Sequence, residues 1–338
     1  STAFQGGDLT IQDLSEHQFN SNLIAKATKS FSDNFSATAL VGFNYNNRIT
    51  KNIGADVKAF TLPNAPFDLA NSSTASRTPF NSEVTRRSNS GYASLNLELY
   101  NQLFAEMTGR YDVYSSTNFG KFYPSISLGW QFTKLKAFTD SKALSFGKVR
   151  LTYGQVGVEP PPYVFDSYYF PATDAESWGP ALDASNSIYG GGYQRSTAQG
   201  NRNIRPEVKT EYEAGLDLRF WNDRISLSGT YYKNHTDDVI LSTQVPASTG
   251  FTNTLGNVAK ISNKGFEADL GVTWYKTKNA SITTTGIFAT NKNNVDDLHG
   301  STSIFLNGFT GTSSRLVEGQ PYGALWGVDF LKDAKGTL

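Results

Sequence analysis

Cysteine is absent from this 338-residue chain, which excludes a disulfide framework, thiolate nucleophiles and every cysteine-ligated metal site. Histidine is nearly absent. His17, His235 and His299 lie far apart with no ligand spacing around them, so surface histidine is the favoured reading and no metal is expected. Charge of one sign is lacking too, because thirty Lys plus Arg balance thirty Asp plus Glu, and no whole-chain field would draw in nucleic acid. Nucleic acid is therefore not an expected partner. No G-x-S-x-G, P-loop or G-x-G-x-x-G occurs, and Gly190, Gly191 and Gly192 read as a flexible loop tip, so neither an enzyme nor a cofactor is expected. No apolar run approaches the ~18 residues a membrane-crossing helix needs, and the mean hydropathy is −0.39. That test is blind to barrels. A barrel strand alternates lipid-facing with lumen-facing side chains, so its average stays near neutral even when one face is wholly apolar.

What the chain does have is aromatics, 13% of its residues with 17 Tyr and 23 Phe, and 30 Gly against only 18% charged residues, a mixture that favours β-structure. Its dominant pattern has period two. Phe35, Ala37, Ala39, Val41, Phe43 and Tyr45 alternate with small or polar residues, and Leu95, Leu97 and Leu99 with Ser94, Asn96 and Glu98. The same rhythm runs through Leu103 to Val113, Ile126 to Phe132, Val149 to Tyr153, Tyr212 to Phe220, Ile225 to Tyr231 and Phe266 to Trp274. With a strand near Phe19 to Thr28 and two weaker ones beginning near Ile282 and Tyr322, about eleven strands are expected, many close to the ~9 to 11 residues that cross a bilayer at a tilt.

Connections alternate as well. Short turns are expected after Lys29, at Asn101 and Gln102, at Asn222 and Asp223, and after Tyr275, with a medium one over 133–145. Long loops are expected over 47–88, 157–207, 235–257 and 292–320, the plan of an outer-membrane barrel with short periplasmic turns and long outer loops. In that reading Val41, Phe43, Leu95, Leu97, Leu128, Trp130, Leu216, Leu218, Leu270 and Val272 face lipid. The polar face carries Glu98, Glu106, Arg110, Asp112, Arg150, Glu213, Asp217, Arg219, Glu267 and Asp269, which would line the lumen or meet a plug. In the rival β-sandwich or propeller they would be a solvated outer face. Trp130, Phe132, Phe220, Trp221 and Trp274 fall beside the short turns, as an interfacial girdle requires. The loop from Glu159 to Ile204 gathers Tyr163, Phe165, Tyr168, Tyr169, Phe170, Trp178, Tyr189 and Tyr193, rings suited to stacking on sugars or apolar peptide groups. The plainer alternative is that these rings pack the loop or meet a partner protein.

Five stretches in order resemble SusC-like TonB-dependent outer-membrane transporters: GRYDVYSSTNFGKFYPSISLGWQFTKLKAF from Gly109, SFGKVRLTYGQVG from Ser145, NIRPEVKTEYEAGLDLRFWNDRISLSGTYYKNHTDDVI from Asn203, GNVAKISNKGFEADLGVTW from Gly256 and VEGQPYGALWGVDF from Val317. Two departures are Lys136, where the family pattern has an acid, and Gly154 to Val158, which lacks the pattern's Asn. The resemblance implies an all-β, antiparallel, up-and-down transmembrane barrel in a Gram-negative outer membrane, with residues 1–338 supplying about eleven of about twenty-two strands of one barrel domain. It implies that the plug domain, its TonB box and the C-terminal strands lie outside this stretch, which is expected to be an internal fragment. It also implies energy-coupled import of oligosaccharides or oligopeptides, with a SusD-like lipoprotein lid and with TonB acting through the plug. Two other readings stay open at this point: a TonB-dependent siderophore receptor, and a barrel that serves as an anchor or adhesin scaffold without transport.

Overall fold

The computed structural model describes residues 8–58, 60–62, 68–139, 141, 143–171, 173–174, 182–183, 192–309 and 311–328. Its main feature is one eleven-stranded sheet. Six consecutive strands come first: β1 (Asp8–Ser32), β2 (Phe35–Lys58), β3 (Arg77–Leu99), β4 (Leu103–Tyr114), β5 (Lys121–Trp130) and β6 (Leu144–Val158). Among the described residues helix is confined to the four-residue α1 (Lys136–Thr139) before β6 and to short turns of 3-10 helix. The segment after β6 holds small strands β7 (Tyr169–Pro171), β8 (Thr173–Asp174), β9 (Leu182–Asp183), β10 (Tyr193–Arg195) and β11 (Ala198–Gln199). The sheet resumes with β12 (Glu207–Phe220), β13 (Ile225–Gln244), β14 (Asn253–Lys276) and β15 (Ser281–Asp297), each antiparallel to its neighbour, while β11 runs parallel beside the tip of β14. A separate three-stranded sheet follows, built from β16 (Ser303–Gly308), β17 (Thr312–Val317) and β18 (Ala324–Gly327).

Among the described residues β1 and β15 each have one sheet partner, so the sheet is open at both ends. The count of eleven agrees with the sequence, but one member differs. The strand expected to begin near Tyr322 is β18, which starts at Ala324 but belongs to the small sheet, and β11 takes its place in the count. The tight turn expected at Asn101 and Gln102 sits one residue earlier, with Tyr100 and Asn101 both at φ 53. Left-handed backbone also closes the turn after β12, at Trp221, Asn222 and Asp223, where Asn and Asp tolerate it best.

The expected long loops are shorter than read, because β2 runs to Lys58, β3 starts at Arg77, β13 runs to Gln244 and β14 starts at Asn253. Ladder hydrogen bonds outlast the apolar alternation that marks a strand in sequence. Two compact units divide the chain. The first joins Ser1–Leu23 with Phe43–Ser90, and in it Asn44 Nδ2 donates to Asn20 Oδ1 at 2.6 Å and to Asn22 Oδ1 at 2.8 Å. The second joins Ile24–Gly42 with Gly91–Leu338 and holds everything described below.

Its buried apolar residues avoid the alternating band. Val239, Ala259, Val295, Leu298, Ile304 and Leu316 form one core where the tips of β13, β14 and β15 meet the small sheet. Within the band Leu128, Leu216 and Leu270 are 46%, 41% and 45% exposed, and none of the residues expected to face lipid is buried. A water-soluble sandwich would hide that face in a core. A membrane wall leaves it bare for lipid, with every backbone group satisfied by its neighbouring strand.

Candidate functional site

Strand register builds the opposite face row by row, since directly paired residues point the same way. One row reads Glu106, Ser127, Thr152, Glu213, Tyr232 and Gly265; the next reads Phe104, Gly129, Arg150, Gly215, Thr230 and Glu267. Below them run Lys148, Asp217, Ser228 and Asp269, then Phe146, Arg219, Ser226 and Gly271. Arg110 and Asp112 continue the β4 row by alternation, and Glu98 lines a shared groove of about 440 Å³ with Glu106 and Arg150. The ten polar candidates are thus brought onto one surface.

Arg150 organises its centre. Its Nε donates to Asp217 Oδ2 at 2.8 Å, and Nη2 donates to Asp217 Oδ1 and Thr230 Oγ1, both at 3.2 Å. Ser228 Oγ adds a bond to Asp217 at 2.7 Å. Glycine makes the room: a Cβ on Gly215 would stand 2.7 Å from Arg150 Nη2, so a side chain there would displace the guanidinium. Near the C-terminal end of β4, Arg110 Nε meets Asp112 Oδ1 at 2.6 Å, and Tyr114 donates its hydroxyl to Asp112 at 2.9 Å. Lys148 and Glu211 belong to the same face although the sequence reading left them off the candidate contacts. Parity alone marks them, since each lies two residues from a member of the set. Glu211 accepts from Asn234 Nδ2 at 3.0 Å.

The aromatic loop is less of a unit than its composition suggests. Tyr163, Tyr168, Tyr169, Phe170 and Tyr193 are exposed and Phe165 is half-buried, while Trp178 and Tyr189 lie outside the described residues. The β7–β10 ladder pairs Tyr169 with Arg195 and Tyr193 with Pro171, so Tyr169 and Tyr193 share a face and Phe170 takes the other. The loop is moored on the strand tips. Arg195 stacks on Phe251 at 4.0 Å, Asn201 Nδ2 donates to Leu255 O at 2.9 Å, and Asn257 Nδ2 donates to Arg205 O at 2.9 Å and to Asp238 O at 2.8 Å. Ile204 is fully buried, its carbonyl accepting from Thr117 Oγ1 at 2.9 Å.

Two ionisable groups beyond the apolar band feel their surroundings. Burial pushes the Glu207 carboxyl up, opposed by the Ile240 N–H it accepts at 2.8 Å, and the hydrogen bond to Asp237 at 2.8 Å holds the Lys260 ammonium above its ordinary range. His235 and His299 face Asp237 and Asp297, and among the described residues no group of three or more acidic or imidazole side chains is placed to hold a metal.

An open antiparallel sheet with a bare apolar face, a polar face rich in ion pairs and girdle aromatics at one set of turns defines an outer-membrane β-barrel wall. The chain belongs to the TonB-dependent receptor-like β-barrel family, whose pattern covers residues 2–330. It is similar to TonB-dependent receptor P26 of Formosa agariphila, 25% identical over 97% of this chain and 33% of that protein, and to TonB-dependent receptor SusC of Bacteroides thetaiotaomicron, 28% identical over 52% of this chain and 17% of that one. The RagAB peptide transporter shares its fold, with a TM-score of 0.76 at 21% identity over 93% of this chain and 34% of that one. The chain therefore spans about a third or less of the length of these relatives.

Proposed function

We propose that this chain is part of the wall of a SusC-like importer that moves oligosaccharides or oligopeptides across the outer membrane, working with a SusD-like surface lipoprotein and driven by TonB through a plug domain. In this reading the ten-residue polar face lines the lumen and meets the plug or the water around it. The observation that carries it is the continuous polar face on the back of an apolar one: Glu106, Glu213 and Glu267 with Arg150 and Asp217 keep charge across neighbouring strands where lipid contact on both sides would forbid it. Tyr169 and Tyr193, exposed on one face of a ladder moored at the strand tips, are the ring pair best placed to meet cargo. RagAB is a peptide transporter by name, which supports a polymeric cargo over a compact metal chelate.

The test is uptake and partner capture with the full-length receptor. Fluorescent oligosaccharide and peptide pools should enter cells in a TonB-dependent manner, and a surface lipoprotein should co-purify. Uptake without a lipoprotein, confined to ferric chelates, would turn the reading toward a siderophore receptor. Correct insertion with no TonB-dependent uptake would leave a scaffold.

A further inference from the structure

The face of β14 that carries Glu267, Gly265 and Asn263 continues toward the start of the strand as Ile261 and Ala259, and there it turns apolar because Leu298, between β15 and β16, and Ile304 and Leu316 of the small sheet cover it. The small sheet is pinned in place by backbone bonds from Val295 to Gln320 and from Gly319 back to Val295, and by Leu298 N–H donating to Glu318 Oε1 at 2.8 Å. Between this sheet and the β13–β14 tip lies a cavity of about 670 Å³. Ser242, Gln244, Asn253, Ser301, Phe305 and Arg315 are among its walls, and among the described residues no carboxylate is.

Arg315 is braced by hydroxyls, Nε donating to Ser313 Oγ at 3.0 Å and Nη1 to Ser303 Oγ at 3.2 Å, and its guanidinium lies 6.0 Å from the Trp326 ring. That brace fixes a permanent positive charge that has no ion-pair partner among the described residues. Phe305 is 47% exposed and offers a ring face. Short hydroxyl and amide side chains that both donate and accept match sugar hydroxyls.

The geometry points to a binding site for an acidic oligosaccharide, its carboxylate or sulfate held by Arg315 and its ring face by Phe305. The volume suits a small-molecule site. This inference rests on the import reading.

Calorimetry on the full-length receptor in detergent tests it with four probes: trigalacturonate, its methyl ester, sulfated maltotriose and maltotriose. At least one charged probe should bind about tenfold or more tightly than its neutral counterpart, as a charge-assisted contact requires. Arg315→Gln should abolish that preference. Asn253→Asp, which puts a carboxylate in the cavity without touching the arginine brace, should do the same even if Arg315→Gln loosens the small sheet. The carboxylate and sulfate arms separate the two anion sources. Equal binding of charged and neutral sugars, no binding of any sugar, an unchanged preference in both variants, or tighter binding of triglutamate than of any sugar would each overturn the site. Charged-sugar binding without TonB-dependent uptake would refute the import reading alone, and TonB-dependent uptake indifferent to both variants would refute the site alone.

Discussion

Glu207 shows how a single residue ties two strands together beyond the membrane band. Its Oε1 accepts from Ile240 N–H at 2.8 Å, beside the bulge where Asp238 adopts φ 58 and the β13–β14 register shifts. Burial raises its carboxyl above the ordinary 4.5, so its contribution to stability is complete below that value and is lost as pH rises through the raised one. Glu207→Gln keeps a carbonyl acceptor and removes the charge. Hydrogen exchange at the Ile240 amide, corrected for intrinsic rate, should lose protection from about pH 4.5 upward in the native protein and stay flat in the variant. Identical profiles would remove Glu207 from the account. The ring pair is tested separately: Tyr169→Ala and Tyr193→Ala should each weaken cargo binding by about 1 to 3 kcal/mol at matched surface levels, with Phe170→Ala, on the other face, near neutral. A larger loss at Phe170 would mean that the wrong side of the ladder has been assigned.

At the scale of an element, the β16–β18 sheet shares one core with the tips of β13, β14 and β15, in which Leu298 is 1% and Leu316 0% exposed. Leu316→Ala should cost about 2 to 5 kcal/mol, felt locally. Limited proteolysis should then cut within 299–328 while heat-modifiable mobility on gels, the mark of a folded barrel, is kept. Loss of both would show that the small sheet and the wall fold as one unit. Apart from the strand expected near Tyr322, this sheet left no mark in the sequence, where Ile304 and Leu316 are too sparse for any period and are joined to Leu298 only in space. The wall was legible for the opposite reason: strands buried on neither face keep strict alternation, so Leu216, Leu218, Glu213 and Asp217 announce strand, face and register together. Parity places the polar ten on one surface, but it does not say which of them meet. The Arg150 to Asp217 contact joins residues 67 apart and depends on Gly215 leaving space, which no local pattern announces. The aromatic loop shows the same limit, because composition counts rings while a three-residue ladder sends alternate rings to opposite sides.

For the whole molecule, the two faces of the wall answer to two solvents, and this makes the strongest prediction. Leu218, Leu227 and Leu270 stand side by side on the apolar face, with Leu270 45% exposed, whereas Asp217, Ser228 and Asp269 stand side by side on the other, one residue away along the same three strands. An arginine at Leu270 would enter hydrocarbon and should cost about 2 to 4 kcal/mol if the position lies near the midplane. An arginine at Ser228 would meet Asp217 and Asp269 on the polar side and should cost far less, although it gives up the Ser228 to Asp217 hydrogen bond. Both substitutions introduce the same charge on neighbouring strands, so intrinsic strand propensity cannot explain a difference between them. Urea titration of the full-length receptor folded into lipid vesicles measures both costs on one scale. A large penalty at Leu270 with tolerance at Ser228 fixes lipid on the leucine side and water on the aspartate side. Equal penalties, or the reverse order, would turn the wall inside out and with it the lumen assignment of Glu106, Arg150, Glu213 and Glu267.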